Sequence, residues 1–178
     1  MSDSPKDIAQ AWLSTFAASA SAGDVQSIVS AFLPNGMLRD FLVFSWKNRT
    51  LIGHENVSAY LSTSNSVASA QITDVRLDEQ TGLEAEFFPV APSISGVAAA
   101  FTFETSLFHG RGFFRLLPDG TAGGWKALTV FIMANDLKGH EEMGHETGVC
   151  GDHIIAWEEV KAARRAKIEN DPHVIIST

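Results

Sequence analysis

The sequence predicts an α+β domain in which helices come first and antiparallel strands follow. Three observations carry this. Two capped amphipathic stretches open the chain, within residues 4–33. From Gln71 onward, strand-like runs alternate with Gly- and Asp-containing turns. The 178 residues are 45% apolar and only 19% charged, enough for one packed core and too apolar for a disordered chain. Segregated helices and strands argue against a doubly wound parallel sheet.

Composition also excludes classes of function. Thirteen Lys and Arg face 21 Asp and Glu, a formal charge of -8, which argues against nucleic acid as the main partner. The single cysteine, Cys150, allows no intrachain disulfide and no thiolate-rich metal site. No apolar run approaches the ~18–20 residues of a membrane span, and the N-terminus lacks the charged-then-apolar pattern of a secretion signal. A cytoplasmic location is expected.

Ser4-Pro5-Lys6-Asp7 reads as a capped helix start, with Ile8, Trp12, Leu13 and Phe16 on one face and Gly23 as the stop. Asp24 caps a second helix bearing Val25, Ile28, Val29 and Phe32, closed by Leu33-Pro34-Asn35-Gly36. Met37 to Trp46 reads as one strand or two. Gly53 opens a short helix carrying Val57, Tyr60 and Leu61. Strands are expected at 71–77, 97–105, 109–117 and 125–133, with hairpin chemistry at Pro118-Asp119-Gly120 and Ala122-Gly123-Gly124. A charged helix follows at 156–169, then a terminal strand at 171–176. The division expected is a domain over 1–136 and a C-terminal loop and helix extension over 137–178 that packs on it.

Several short motifs carry a resemblance over nearly the whole chain: Leu38-Arg39-Asp40, Phe44-Ser45-Trp46, Arg49-Thr50-Leu51 with Gly53, Phe103-Glu104-Thr105, Gly110-Arg111-Gly112, Trp125-Lys126-Ala127 and Leu137-Lys138-Gly139-His140-Glu141-Glu142. With the helix-then-sheet order, the chain resembles the cone-shaped nuclear transport factor 2-like, or SnoaL-like, fold. More closely it resembles the domain preceding the flavin-binding part of certain fungal flavin-dependent monooxygenase-like proteins. The resemblance implies three N-terminal helices packed on a curved antiparallel sheet, plus a C-terminal helical tail. Where those relatives continue into a Gly-x-Gly-x-x-Gly loop, this sequence reads Ser177-Thr178, so flavin chemistry does not carry over and no cofactor is expected. A freestanding protein is expected, with a domain cut from a longer one as the alternative.

A curved sheet closed by helices makes a pocket lined by alternate strand residues. On the last strand the two sets are Trp125, Ala127, Thr129, Phe131, Met133 and Lys126, Leu128, Val130, Ile132. On the strand before it they are His109, Arg111, Phe113, Arg115 and Gly110, Gly112, Phe114, Leu116. The first set of each pair, aromatic and polar, is expected to face inward; a solvated face is the alternative. His109 titrates near neutrality and suits proton transfer. Arg39 suits a developing oxyanion, and Asp40 suits a general base or, alternatively, an acid that ties down local structure. Adjacent strand residues point to opposite faces, so at most one of Arg39 and Asp40 enters the pocket unless a bulge intervenes. Glu104 reads as a salt-bridge partner for Arg111 or Arg115, with a buried acid of raised pKa as the alternative. Trp46, Phe103, Phe113, Trp125, Thr129 and Phe131 are the expected substrate-binding wall. His140 and His145 stand at i and i+5, one residue beyond the i, i+4 spacing of a zinc helix, so no metal site is expected.

The cone resembles those of ketosteroid isomerase, scytalone dehydratase and polyketide cyclases, which work without metals, and some freestanding fungal members of the fold act as isomerases. The resemblance therefore implies a cofactor-independent isomerase or cyclase acting on an apolar or aromatic biosynthetic intermediate in fungal secondary metabolism, working as a homodimer without nucleic acid or membrane. The rival is a non-catalytic dimerisation or ligand-binding module. The discriminating feature is the cone: a ligand-sized cavity walled by His109 or Arg39 favours an enzyme, and a cavity plugged by Phe113 and Phe131 favours a module.

Overall fold

The computed structural model describes residues 4–63, 66–120, 124–141 and 157–170. The chain divides into two compact units, Met1–Glu141 and Glu142–Thr178. The first begins with helix α1, Pro5–Ala22. Its start is the predicted capping box: the Asp7 N–H donates to Ser4 Oγ at 3.2 Å, and the Ser4 N–H donates back to the Asp7 carboxylate at 3.3 Å. Gly23 ends it in the left-handed region at φ 68°, where a side chain would be strained. Ile8, Ala9, Trp12, Leu13 and Phe16 form its buried face. Asp24 caps α2, Val25–Ser30, by accepting from the Ser27 N–H.

The expected second helix is shorter than its apolar stripe. Phe32 leaves it and opens strand β1, Phe32–Phe41, so Leu33-Pro34-Asn35-Gly36 is a bulge inside a strand and not a helix stop. Pro34 is tolerated because the register with the neighbouring strand shifts between Phe32 and Met37. Gly36 is required there: a Cβ would come within 2.7 Å of the Ala127 carbonyl oxygen. Next come β2 (Arg49–Ile52), α3 (Gly53–Leu61), the short α4 (Ser66–Ala70), β3 (Thr73–Leu77), β4 (Glu86–Ala91), β5 (Ile94–Glu104), β6 (Phe108–Pro118) and β7 (Trp125–Leu137). Strand β4 and helix α4 carry too little periodicity to be read from sequence.

The seven strands form one curved sheet in the order β2-β1-β7-β6-β5-β3, with β4 also paired to β5. All pairs are antiparallel except β1 with β7, which corrects the wholly antiparallel expectation. Register shifts at His109/Gly110 and Arg115/Leu116 interrupt the β6–β7 ladder, and bulges of this kind bend a sheet.

One face of the sheet packs on α1, α2 and α3, and the core is strongly aromatic. Trp12 stacks on Phe16 at 5.1 Å between centroids and meets Phe114 at 4.7 Å, while Phe101 lies 5.9 Å from Phe114 and 6.0 Å from Phe103. Glycines opposite these rings make the packing possible. Cβ atoms at Gly110 and Gly112 would come within 2.2 Å of Phe103 and Phe101. The second unit contributes α5, Trp157–Asn170, the predicted charged helix, with a Glu158–Lys161 pair at 3.2 Å and an Arg165–Glu169 pair at 3.0 Å. The terminal strand expected at 171–176 lies outside the described residues.

Candidate functional site

Strand alternation decides which side chains can meet a ligand, and the structure reverses the expected choice on β6 and on β7 from Thr129 onward, while Ala127 faces inward as expected. On β6, Gly110, Gly112, Phe114 and Leu116 are buried against the helices, while His109, Arg111, Phe113 and Arg115 project from the open face. On β7, Ala127, Val130 and Ile132 point inward, and Thr129, Phe131 and Met133 point outward beside them. The reason is volume. The inner layer must fill the space under α1, and aliphatic and unsubstituted aromatic groups do so without desolvating a charge.

The predicted residues therefore disperse. Arg39 lies on the open face of β1, donating a hydrogen bond to Thr50 Oγ1 at 3.2 Å. Arg39 is in register with Phe131, which is in register with Phe113, and His109 lies four residues along β6 from there. That is about 13 Å along the strands and ~10 Å across them, too far for both groups to act on one small carbonyl. Phe113, Phe131 and Thr129 share the open face. Phe103 is core at 2% exposed, corrected from a ligand contact to packing. Trp46 is 73% exposed, and Trp125 lines a separate groove. No cluster of three potential metal ligands occurs among the described residues. His145, His153 and Cys150 lie outside them.

Asp40 points the other way, fully buried. It accepts from the Val43 N–H at 2.9 Å, the Phe44 N–H at 3.2 Å and the Tyr60 hydroxyl at 2.5 Å. Tyr60 Oη also lies 2.9 Å from Ser45 Oγ. The carboxylate thus pins the turn after β1, where Leu42 sits at φ 68°, a costly conformation for leucine. Burial pushes the Asp40 carboxyl up, against the hydrogen bonds that pull it down. Burial, then the hydrogen bond to Asp40, pushes the Tyr60 phenol to about 12. Sequence reading missed Tyr60 and Ser45 as partners because helix α3 and the turn are brought together only by the tertiary fold.

His109 has a settled role in an exposed network. Its Nδ1 lies 2.9 Å from Glu104 Oε1, its Nε2 lies 3.5 Å from Glu141, and Glu104 also takes Lys138 at 2.9 Å. Hydrogen bonding to Glu104 raises the imidazole pKa, and the same bond lowers that of Glu104.

Surface depressions among the described residues accompany these groups. One of about 610 Å³ runs between α1, α2 and the start of β7 past Trp12, Trp125, Lys126 and four hydroxyl side chains. A second of about 230 Å³ is walled by Leu42 to Trp46, Ala70 and Thr105 to Phe108, and it holds no titratable side chain. A third of about 500 Å³ lies beside α4 and Thr73.

No protein-family model matches the sequence, and no curated protein matches it. Solved structures do. The yeast UBP3-associated protein BRE5 superimposes with a TM-score of 0.56 at 15% identity, covering 75% of this chain and 98% of that one. An NTF2-like protein of unknown function from Pseudomonas putida KT2440 gives 0.52 at 9% identity, over 74% and 87%. A ketosteroid isomerase-like protein from Erwinia carotovora atroseptica SCRI1043 gives 0.50 at 12% identity, over 75% and 98%. The chain has the nuclear transport factor 2-like fold, a mixed α+β architecture with a curved open sheet. Among the described residues no helix is long and apolar enough to cross a membrane.

Proposed function

We propose that the chain is a docking module and not an enzyme, and that a partner protein covers the open face of its sheet. The observation that carries this reading is the filled interior. Trp12, Phe16, Phe101, Phe103 and Phe114 fill the space between α1 and the centre of the sheet, and the 610 Å³ depression at the α1–α2 edge is lined by none of Arg39, Asp40 and His109. Arg39 and His109 stand on the opposite face. That face carries Met37, Phe41, Phe113, Phe131 and Met133 with Arg39, Arg111 and Arg115 among them, the mixture of aromatic, methionine and arginine side chains that protein interfaces favour. Proteins of this fold include one named for its association with another protein and one named for likeness to an isomerase, so the fold alone supports neither reading over the other.

The dye anilinonaphthalene sulfonate tests the choice of surface. The parent should enhance its emission severalfold, and Phe113→Lys with Phe131→Lys should abolish the enhancement at unchanged melting temperature. If the enhancement instead disappears on filling the 230 Å³ cavity with Ala70→Trp, the binding surface is that cavity and the docking reading fails.

A second reading, a cofactor-independent isomerase, rests on one observation: the Asp40 carboxyl, pushed up by burial, lies behind the 42–46 turn that walls the same 230 Å³ cavity. With the turn swung out, Asp40 would act as the general base and Tyr60 as the oxyanion donor. Phenols, as enolate mimics, would then shift the amide resonances of residues 43–46 in the parent and not in Asp40→Asn. No shift in either protein removes this reading.

A further inference from the structure

The open face has a sign and a seat. Arg115 projects from β6 into a gap between two phenylalanines, its guanidinium carbon 5.3 Å from the Phe88 ring centroid and 5.9 Å from that of Phe113. Phe88 is held flat over Gly96, where a Cβ would come within 2.4 Å of the ring. Phe113 is set by its register with Ala100 and Phe131. Both are cation–π contacts, and no described side chain accepts a hydrogen bond from the guanidinium N–H groups.

The other charges on this face show the same bias. Among the described residues Arg39 has only the Thr50 hydroxyl, and Arg111 lies 3.9 Å from Asp78. Arg76, on the same face in register with Thr102, is satisfied by Asp74 at 2.7 Å. Of the acids, Glu104 is taken by His109 and Lys138, Asp136 of β7 stands in register with His109, and Glu86 of β4 stands in register with Ala98 of β5, which is in register with Arg115. A chain with a net charge of -8 thus gathers spare arginines on its one open sheet face. A second copy packed face to face would set these arginines against their own counterparts.

Resting on the docking reading, we propose that the occupant of this face is an extended acidic segment of a partner protein, with one of its carboxylates seated on the N–H edge of Arg115. A planar fork held between ring contacts matches a carboxylate bidentately. The neighbouring Phe113, Phe131 and Met133 take the apolar side chains that lie beside that carboxylate.

The test uses the full chain and a short fluorescein-labelled peptide with Glu at every second position and a single central Phe, followed by anisotropy and amide NMR. Binding should shift resonances in residues 113–117 and 129–133 and should weaken as salt rises. Arg115→Met should weaken it by about tenfold, and Arg115→Lys, which keeps the charge and loses the fork, by a smaller factor. Arg115 is exposed, so both variants should fold, and circular dichroism checks this. If the Gln version of the peptide binds equally, or Arg115→Met binds as tightly as the parent, the carboxylate seat is wrong and the docking reading stands. If neither peptide binds and sedimentation shows a dimer that Phe131→Lys dissociates, the occupant is a second copy and the acidic partner is overturned. Tighter binding of single-stranded oligothymidylate than of the Glu peptide overturns it in favour of nucleic acid. If neither peptide binds a chain that stays monomeric, the docking reading fails with it.

Discussion

Asp40→Ala is the substitution that most directly separates a structural from a catalytic use of this carboxylate. In the folded chain Asp40 has no solvent exposure, and it accepts from two backbone N–H groups and one phenol. Alanine leaves the Val43 and Phe44 N–H groups without that acceptor and releases the turn that holds Leu42 at positive φ. The Tyr60 hydroxyl keeps Ser45 as an alternative. At ~1–3 kcal/mol for each buried group left unpaired, the loss should be about 2–5 kcal/mol. Asp40→Asn behaves differently. Its side-chain oxygen still accepts from both N–H groups, and its NH₂ donates to Tyr60, whose hydroxyl turns towards Ser45. Neutral asparagine also escapes the burial cost that raises the carboxyl pKa, so it should stay within ~1 kcal/mol of the parent at neutral pH. The sign with pH follows from linkage. A folded pKa raised above the ordinary 3.8 makes Asp40 most favourable below that value, and the advantage declines as pH rises through the folded pKa. The parent should therefore lose ground to Asp40→Asn between acid and neutral pH. Urea denaturation followed by tryptophan fluorescence measures all three proteins. An Asp40→Ala variant within about 1 kcal/mol of the parent would falsify the turn-pinning account.

Gly112→Ala should cost ~1–3 kcal/mol by overpacking, because its Cβ would meet the Phe101 ring at 2.2 Å, and a smaller companion change, Phe101→Leu, should recover part of that in the same denaturation assay. The Glu104–His109 pair should stabilise most between roughly pH 4.5 and 6.5: Glu104, lowered from 4.5, loses its contribution as pH falls through its folded pKa, and His109, raised from 6.5, loses its own as pH rises through its folded pKa. His109→Gln should flatten the alkaline side of the melting-temperature profile, and an unchanged profile refutes the pairing. Tyr60→Phe should destabilise by about 1–2 kcal/mol, less than Asp40→Ala, since it removes one of three bonds to the carboxylate.

What the sequence made legible was local. The Ser4 capping box, the Gly23 stop, the α3 helix and the three long C-terminal strands follow from capping chemistry and turn residues within a few positions of each element. Phe32 and Pro34 were misplaced because an apolar residue at helical spacing fits a helix end as well as a strand start. The parallel pairing with β7 that decides between them lies almost a hundred residues away. The same limit explains the reversed face of β6. The pattern His109, Gly110, Arg111, Gly112, Phe113 alternates clearly but does not say which set is buried, and a polar set facing a ligand resembles a polar set facing solvent. The glycines held the missing signal. A glycine opposite a phenylalanine on the next strand, Gly112 with Phe101 and Gly110 with Phe103, marks rings lying flat over the strand, and those rings need the covered side.

That packing also bears on how a fold that encloses ligands elsewhere becomes a surface for docking. A cone empties when its wall carries small residues and its polar groups point inward; here the small residues serve the opposite end. Gly110 and Gly112 admit Phe103 and Phe101 into the layer under α1, so the space is filled by the sheet's own side chains. On the open face, Gly96 leaves room for the Phe88 ring, which lies 5.3 Å from the Arg115 guanidinium carbon. Glycines on both faces of one sheet thus close the interior and arrange the exterior. Enlarging the interior by Phe101→Ala would open a cavity at a cost of ~3–5 kcal/mol without moving a titratable group into it, because Asp40 stays sealed behind its turn and Arg39 and His109 stay on the far side. A catalyst in this fold needs its acid or base on the inner set of strand residues. In this chain the described inner strand residues are apolar except for Asp40, and that carboxylate already has its hydrogen bonds.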